Sequence, residues 1–387
     1  MPHNESDCSI GEEFVVTGSA PSVSVLVPIY NVEKYLDQCL QSLVDQTFSD
    51  FEVICINDGS KDGSRSIIQK FMDADSRFKV IDKENSGYGI SMNMGLDAAR
   101  GKYVAILESD DFYEPFCLEK LVATAEAHDS QVVKANFWLY WSKPEKKELF
   151  KIIDDQESGR TMAPIDDKAI FFRKPSIWSA LYNRDFLNSH QIRFLETPGA
   201  SYQDLGFCFK VWAASDRASF IDDAVLYYRQ DNESSSVNSA SKVYCVCDEY
   251  RSMEQYVHDY CSSNEPELKA ILERMKFDSY LWNYERLSDE LRKEFVEFAS
   301  KEFARDLATQ SLDIEYFDPL AEANLKLWAT DIPRFVEGRS LLRVPGFKSK
   351  LRHYLFVGGL PLAFKAAKYR RIEHHTLRRN DLKGASA

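Results

Sequence analysis

Long apolar runs are missing from this 387-residue chain. None approaches the ~20 consecutive residues that a membrane-crossing helix needs, which argues against an integral span. The N-terminal stretch MPHNESDCSIGEEF is polar and acidic and lacks the apolar core of a secretory signal. Paired cysteines are missing too. The eight cysteines, at 8, 39, 55, 117, 208, 245, 247 and 261, show no CxxC spacing, and several fall inside apolar, strand-like runs. A zinc site is therefore a poor reading, and buried free thiols in a reducing, cytoplasmic setting are the expectation.

Positive charge is scarce over most of the chain and concentrated at one end. The total is −13, yet residues 334–387 hold thirteen Lys and Arg against three acids, a net of +10, which leaves −23 on residues 1–333. An acidic body repels nucleic acid, so a nucleic-acid partner is not expected. The basic tail suits an anionic partner such as a membrane surface, which would make the protein peripheral on the cytoplasmic face, or a second subunit. A homo-oligomer is compatible with the latter. The plainer alternative is a solvated tail, or one folded against the acidic body.

What is present is an alternation of strand and helix signals. Residues 22–30 (SVSVLVPIY) form a continuous apolar, β-branched run, the mark of a strand buried on both faces. Residues 32–44 then place apolar side chains at helical spacing. Strand signals recur at 51–56, 78–81 and 103–107, with helix signals at 64–72 and 90–99. That order predicts an α/β fold, a Rossmann-like sheet sandwiched by helices. Further on, 131–141 and 218–229 read as strands, 205–214 as a helix and 143–167 as a loop excursion. From about 241 to 329 the pattern is helical. The expected organisation is a lead-in over 1–21, an α/β region over 22–240 with halves at 22–125 and 126–240, a helical region over 241–333 and the basic tail over 334–387.

In open α/β sheets, ligands sit beyond the carboxyl ends of the strands. Here those positions hold Pro28-Ile-Tyr30-Asn31, then NDGSKDGS with Asp58, then Glu108-Ser109-Asp110-Asp111. Asn, Asp, Gly and Ser also make turns and helix caps, so NDGSKDGS alone is ambiguous. The ESDD run is less so. A helix cap uses one acid, whereas three carboxylates in four positions raise one another's pKa unless a cation lies among them.

The segments SVLVPIYNVEKYLDQCLQSLVDQTF, FEVICINDGSKDGS and NSGYGISMNMGLDAARGKYVAILESDD resemble the nucleotide-sugar-binding half of inverting glycosyltransferases of family 2, which have the GT-A fold. The match is dense over 23–122 and thinner to about 238. The resemblance implies that Pro28, Tyr30, Asn31 and Asp58 hold the uracil and ribose of a UDP-sugar, and that Asn93, Glu108 and Ser109 line the donor site. It further implies that Asp110 ligates Mn²⁺ or Mg²⁺, both served by hard oxygen ligands. It identifies Asp204, which opens the 205–214 helix, as the base that deprotonates the acceptor, though capping that helix is its simpler use. Arg229, at the end of the 218–229 strand, is expected to reach the diphosphate; the plain alternative is a surface arginine. Trp178 suits either a sugar face or the core. The implied activity is a hexosyl or N-acetylhexosaminyl transfer to a glycan, lipid-linked or polyol-phosphate acceptor in surface polysaccharide synthesis.

Three positions depart from the family pattern. Glu108 replaces the first Asp of DxD, Met92-Asn93 stands where many relatives have Arg-Asn, and Gln203 replaces the Glu before the base. The QxxRW motif of processive membrane synthases is missing, which favours single or short additions. Two other classes compete. One is a catalytically silent nucleotide-sugar-binding scaffold, which would have little reason to retain Asp204. The other is a nucleotidyltransferase, which needs a glycine-rich basic loop where this chain has PIYNVEKYL.

Overall fold

The computed structural model describes residues 20–199, 201–232, 243–309 and 312–384, with side chains as far as 369. The expected lead-in, apart from residues 20 and 21, lies outside the described residues, as does the serine-rich run after Asn232.

A ten-stranded mixed sheet organises the first 230 residues. Its strands are β1 (Val23–Ile29), β2 (Phe51–Asp58), β3 (Phe78–Lys83), β4 (Tyr103–Ile106), β5 (Phe112–Tyr113), β6 (Val132–Ser142), β7 (Glu145–Phe150), β8 (Thr161–Met162), β9 (Ala180–Asn183) and β10 (Ala218–Arg229). The order is β3-β2-β1-β4-β9-β6-β10-β5, with β7 beside β6 and β8 beside β10. β3, β2, β1 and β4 are parallel, with Val25 level with Val53 and Ala105. Every residue of β1 and β2 is buried, as their unbroken apolar runs require. The intervening helices are α1 (Glu33–Val44), α2 (Ser64–Ala74) and α3 (Tyr88–Ala98), and α3 packs on β1 and β2. α4 (Cys117–His128) covers β6, β9 and β10, and two helices, α5 (Arg184–Ser189) and α6 (Gln203–Ala214), precede β10.

The 143–167 segment is not only loop. It completes a hairpin, with β7 antiparallel to β6, and contributes β8. β7 reads EKKELF, and five of its six residues are exposed, so a solvated edge strand gave no burial pattern to detect. β9 inserts antiparallel between β4 and β6 and turns the parallel half into a mixed sheet.

Six helices follow: α7 (Cys245–Tyr260), α8 (Glu265–Arg286), α9 (Asp289–Ala308), α10 (Pro319–Thr330), α11 (Ile332–Ser340) and α12 (Phe347–Gly384), the last interrupted at Gly359 (φ 65°). Their core is aromatic: Trp328 stacks on Phe335 at 4.6 Å and meets Phe303 at 5.4 Å. α7 packs on α6, which joins this region to the sheet. From Phe347 the basic tail is thus a helix, α12, docked on α10 and α11, and Lys365 meets Glu322 at 3.2 Å. The alternative of a segment folded against the acidic body holds for its inner face. Among the described residues no helix is long and apolar enough to cross a membrane. The seven described cysteines are free, and all but the half-buried Cys245 are buried, as expected of structural thiols.

Candidate active site

The parallel strands deliver their loops to one edge. Pro28 is buried opposite Ile56, Tyr30 stands 51% exposed, and Asn31 adopts a left-handed φ of 51°. The Asn31 carboxamide oxygen accepts from the Lys61 backbone N–H at 2.8 Å, which ties the first loop to the second. Asp58 ends β2 and is nearly buried. It accepts from the backbone N–H groups of Ser86 (2.9 Å) and Gly87 (3.1 Å), and Lys83 pairs with it. A carboxylate has about four lone-pair sites, so capacity for a uracil N–H remains. Asp58 therefore also fixes the loop that starts α3.

That loop is held closely. Gly87 has φ 98°, and a Cβ on Gly89 would lie 2.0 Å from the Leu195 carbonyl oxygen, so only glycine lets α3 meet the 195–199 segment. Asn93 clamps the same segment: its amide donates to the Phe194 carbonyl (3.0 Å) and Glu196 (2.9 Å), and its oxygen accepts from the Phe194 N–H (2.9 Å). Its side chain is spent on this clamp, so it braces the 194–196 segment against α3. Met92 is fully buried. Gln203 donates to Thr197 (3.0 Å) and to the Gly199 carbonyl (3.3 Å), another brace on that segment.

The acid turn follows β4. Glu108 accepts from the Tyr88 hydroxyl at 2.6 Å. Burial, then the charges of Asp110 and Asp204, push its carboxyl up to about 8 against that bond. Ser109 is buried between the acids. Asp110 accepts from the Asn232 amide at 2.7 Å, and its other oxygen is unpaired among the described residues. Asp111 is 1% exposed; one oxygen accepts from the Arg229 N–H (2.8 Å) and the other is buried with no donor among the described residues. Burial and the neighbouring Asp110 raise Asp111 well above the carboxylate range.

Asp204 lies in the first turn of α6 and is half-buried; its carboxylate accepts from the Leu205 N–H at 2.8 Å. Burial pushes it up to about 6, against that bond and the charge of Lys174. The fold thus gathers Glu108, Asp110, Asp111 and Asp204 about Tyr228. Its hydroxyl is pushed up to about 12 by burial, then by Asp111, Asp110, Asp204 and Glu108.

Arg229 ends β10 beside the acid turn. It is 6% exposed, and each of its nitrogens has a protein partner: the Asp110 carbonyl (2.8 Å), Gln38 (2.7 Å) and Ser142. Tyr35 and Tyr140 flank its guanidinium at 4.7 and 5.2 Å. It is therefore not a surface arginine; in this conformation it fixes the acid turn to β10. Lys174 is a second cation beside Tyr228. Its ammonium lies over the Tyr228 ring at 4.4 Å, and among the described residues it has no hydrogen-bond or ion-pair partner. Lys174 also lines an open recess of about 290 Å³ with Phe150, Lys151, Ile152, Asp154 and Arg173. Trp178 is core: it stacks on Tyr228 at 4.8 Å and meets Phe137 edge-on at 4.4 Å. Sequence reasoning missed Tyr88, Lys174 and Tyr228 as site residues. Tyr88 lies within the NSGYG stretch that carried the resemblance, whereas Lys174 has no local signal.

The donor set suits a divalent ion. Burial first, and then the neighbouring carboxylates, raise Glu108 and Asp111, and one Asp111 oxygen has no hydrogen-bond partner among the described residues. Among the described residues no three potential ligands form a cage. An ion shared with a diphosphate needs only one or two carboxylates from the protein, and Asp110 offers one.

Residues 24–183 match the family model described as Glycosyl transferase family 2. The chain carries a family 2 glycosyltransferase domain. EpsH of Bacillus subtilis, provisionally named a glycosyltransferase, is 33% identical over 215 residues, 54% of this chain and 61% of EpsH. TuaG of the same organism, provisionally named for teichuronic acid biosynthesis, is 40% identical over 106 residues, 27% of this chain and 42% of TuaG. The chain thus spans less than two thirds of these curated relatives. The family 2 domain and its helical extension share their fold with S. aureus TarS 1-349 (TM-score 0.63, 20% identity, 84% of this chain and 93% of that one). TarS 1-349 in complex with UDP-GlcNAc gives a TM-score of 0.64, at 20% identity, over 82% of this chain and 91% of that one.

Proposed function

We propose that this chain is an inverting glycosyltransferase that moves a hexosyl or N-acetylhexosaminyl group from a UDP-sugar to a glycan, lipid-linked or polyol-phosphate acceptor in surface polysaccharide synthesis. The observation that carries this reading is the convergence of Asp204, from the start of α6, with the acid turn that follows β4. The Asp204 carboxylate takes the proton of the acceptor hydroxyl as that oxygen attacks the anomeric carbon. The bond from that carbon to the phosphate oxygen breaks with its electron pair leaving on UDP, and configuration inverts. Burial tunes Asp204 to this task, since a base pushed up to about 6 is stronger than an ordinary carboxylate yet ionised at neutral pH.

Asp110 would hold Mn²⁺ or Mg²⁺. When bound, such an ion neutralises charge on the departing diphosphate. Lys174 is the side chain free to add a second positive charge, the part first expected of Arg229. The UDP-GlcNAc complex of TarS and the name of TuaG support the donor and the polymer class respectively.

A thermal-shift panel of UDP-, GDP-, dTDP- and CDP-sugars with and without Mn²⁺ tests the donor. UDP-sugars should raise Tm in proportion to the logarithm of concentration over Kd; no shift with UDP compounds in the presence of metal refutes the donor assignment. Asp204→Asn should retain that shift and lose about 10²–10⁴-fold in sugar transfer or slow donor hydrolysis. A parent protein that binds and never turns over would instead be the silent scaffold. In the parent, kcat/KM should fall about tenfold per pH unit below about 6, because protonated Asp204 cannot accept a proton.

A further inference from the structure

The outer face of α12 is unused by the transferase reading. Its inner face is well seated: His353, Val357, Leu362 and Ala366 are buried, and the His353 Nδ1–H donates to the Gly338 carbonyl at 2.7 Å. Outward, Phe347, Leu351 and Leu355 follow one another at intervals of four, which puts them on one face of the helix. Phe347 is 80% exposed. Beyond the break at Gly359, Leu360 and Phe364 repeat the interval at 63% and 70% exposure. Contiguous exposed apolar rows of this kind mark a surface that meets something apolar.

The charges beside these rows say what. Lys348 and Arg352 each follow a row member by one residue and border one edge; Lys350 precedes Leu351 and borders the other. Lys368 continues the line of Leu360 and Phe364. No Asp or Glu occurs between Gly338 and Ile372. An apolar stripe bordered on both edges by cations is the design of a helix lying in a membrane interface, with its stripe among the acyl chains and its cations at anionic headgroups. A second copy fits less well, because a two-fold contact through this face would set the same cations against each other. The strongly acidic remainder of the chain is repelled by an anionic surface, which turns the α12 face toward it.

We infer that the outer face of α12 is a docking surface for an anionic lipid bilayer, with Phe347, Leu351, Leu355, Leu360 and Phe364 entering the interface. The inference does not depend on the sugar chemistry.

Flotation of the full chain tests it with vesicles of phosphatidylglycerol and phosphatidylcholine in equal parts, against phosphatidylcholine alone. The parent should float with the mixed vesicles, bind phosphatidylcholine at least tenfold more weakly, and be released as salt is raised. The variant Phe347→Ser/Leu351→Ser/Phe364→Ser should lose at least tenfold in vesicle binding while keeping its Tm, since the three side chains are exposed. Lys348→Gln/Lys350→Gln/Arg352→Gln should lose the preference for phosphatidylglycerol. Absence of binding to mixed vesicles overturns the inference, as does unchanged binding by the Ser variant. Sedimentation showing a dimer of the parent that the Ser variant abolishes would assign the face to a second copy and overturn it too.

Discussion

Among the described residues the Lys174 ammonium, over the Tyr228 ring, has no ion-pair partner, while every nitrogen of Arg229 is taken. Substitution should separate the two. Lys174→Met should lower kcat/KM for a UDP-sugar by about tenfold to a hundredfold, the worth of one charge-assisted contact, with Tm nearly unchanged. Arg229→Met should cost stability first, about 3 kcal/mol or more, because it leaves buried partners unpaired; thermal melts beside initial rates read both. Equal loss of Tm in the two variants would deny the division. At this scale the sequence was legible only in part. Asp58, Glu108, Asp110 and Asp204 announce themselves as acids just past strands or at a helix start. Arg229 shared that placement, yet nothing local reveals that Tyr35 and Tyr140 enclose it. Lys174 enters the site only because the sheet brings β10 beside its loop.

Glu52 shows how the parallel half is fastened. Its side chain accepts from Ser24 on β1 (2.7 Å), Lys79 on β3 (2.7 Å) and Arg100 after α3 (2.9 Å). Burial alone would raise it, but the bonds from Lys79, Ser24 and Arg100 hold it down to about 2. A depressed carboxylate stabilises the fold above its unfolded pKa, and that contribution is lost as pH falls from about 4.5 toward 2. Glu52→Gln should therefore cost about 2 kcal/mol at neutral pH, with the half-exposed Lys79 and Arg100 discounted, and much less at pH 3. Denaturant melts at the two pH values check this; an equal loss at both would mean shape, not charge. The elements themselves were readable where burial is two-sided or periodic, as in β1, α1 and β2. β5, β8 and β9 run for two to four residues, too short for any period to emerge.

Over the whole molecule, the helical region braces the proposed base. Tyr202, just before α6, donates to Asn283 of α8 at 3.0 Å, and Asn283 in turn donates to the Val243 carbonyl at 3.0 Å and accepts from Arg286 at 3.1 Å. Asn283→Ala should cost about 2–3 kcal/mol in stability through these lost bonds. It should also lower kcat while UDP-sugar Kd stays within about twofold; a parallel loss of donor affinity would show that the brace serves the donor site instead. The charge asymmetry of the chain was plain in its sequence, but the docking of α12 on α10 and α11 was not, since its buried residues form a narrow stripe among many cations. The strand order has a consequence for synthesis. β5 directly follows the acid turn, yet its partner in the sheet is β10, and Arg229 at the end of β10 fastens Asp110 and Asp111. A nascent chain can pair β1, β2, β3 and β4 early and tie Glu108 to Tyr88, but Asp110 and Asp111 gain their Arg229 contacts only after residue 229 has left the ribosome. Contacts so distant in sequence close slowly, so the earliest-made half of the domain must wait, folded and inert, for the last strand to arrive.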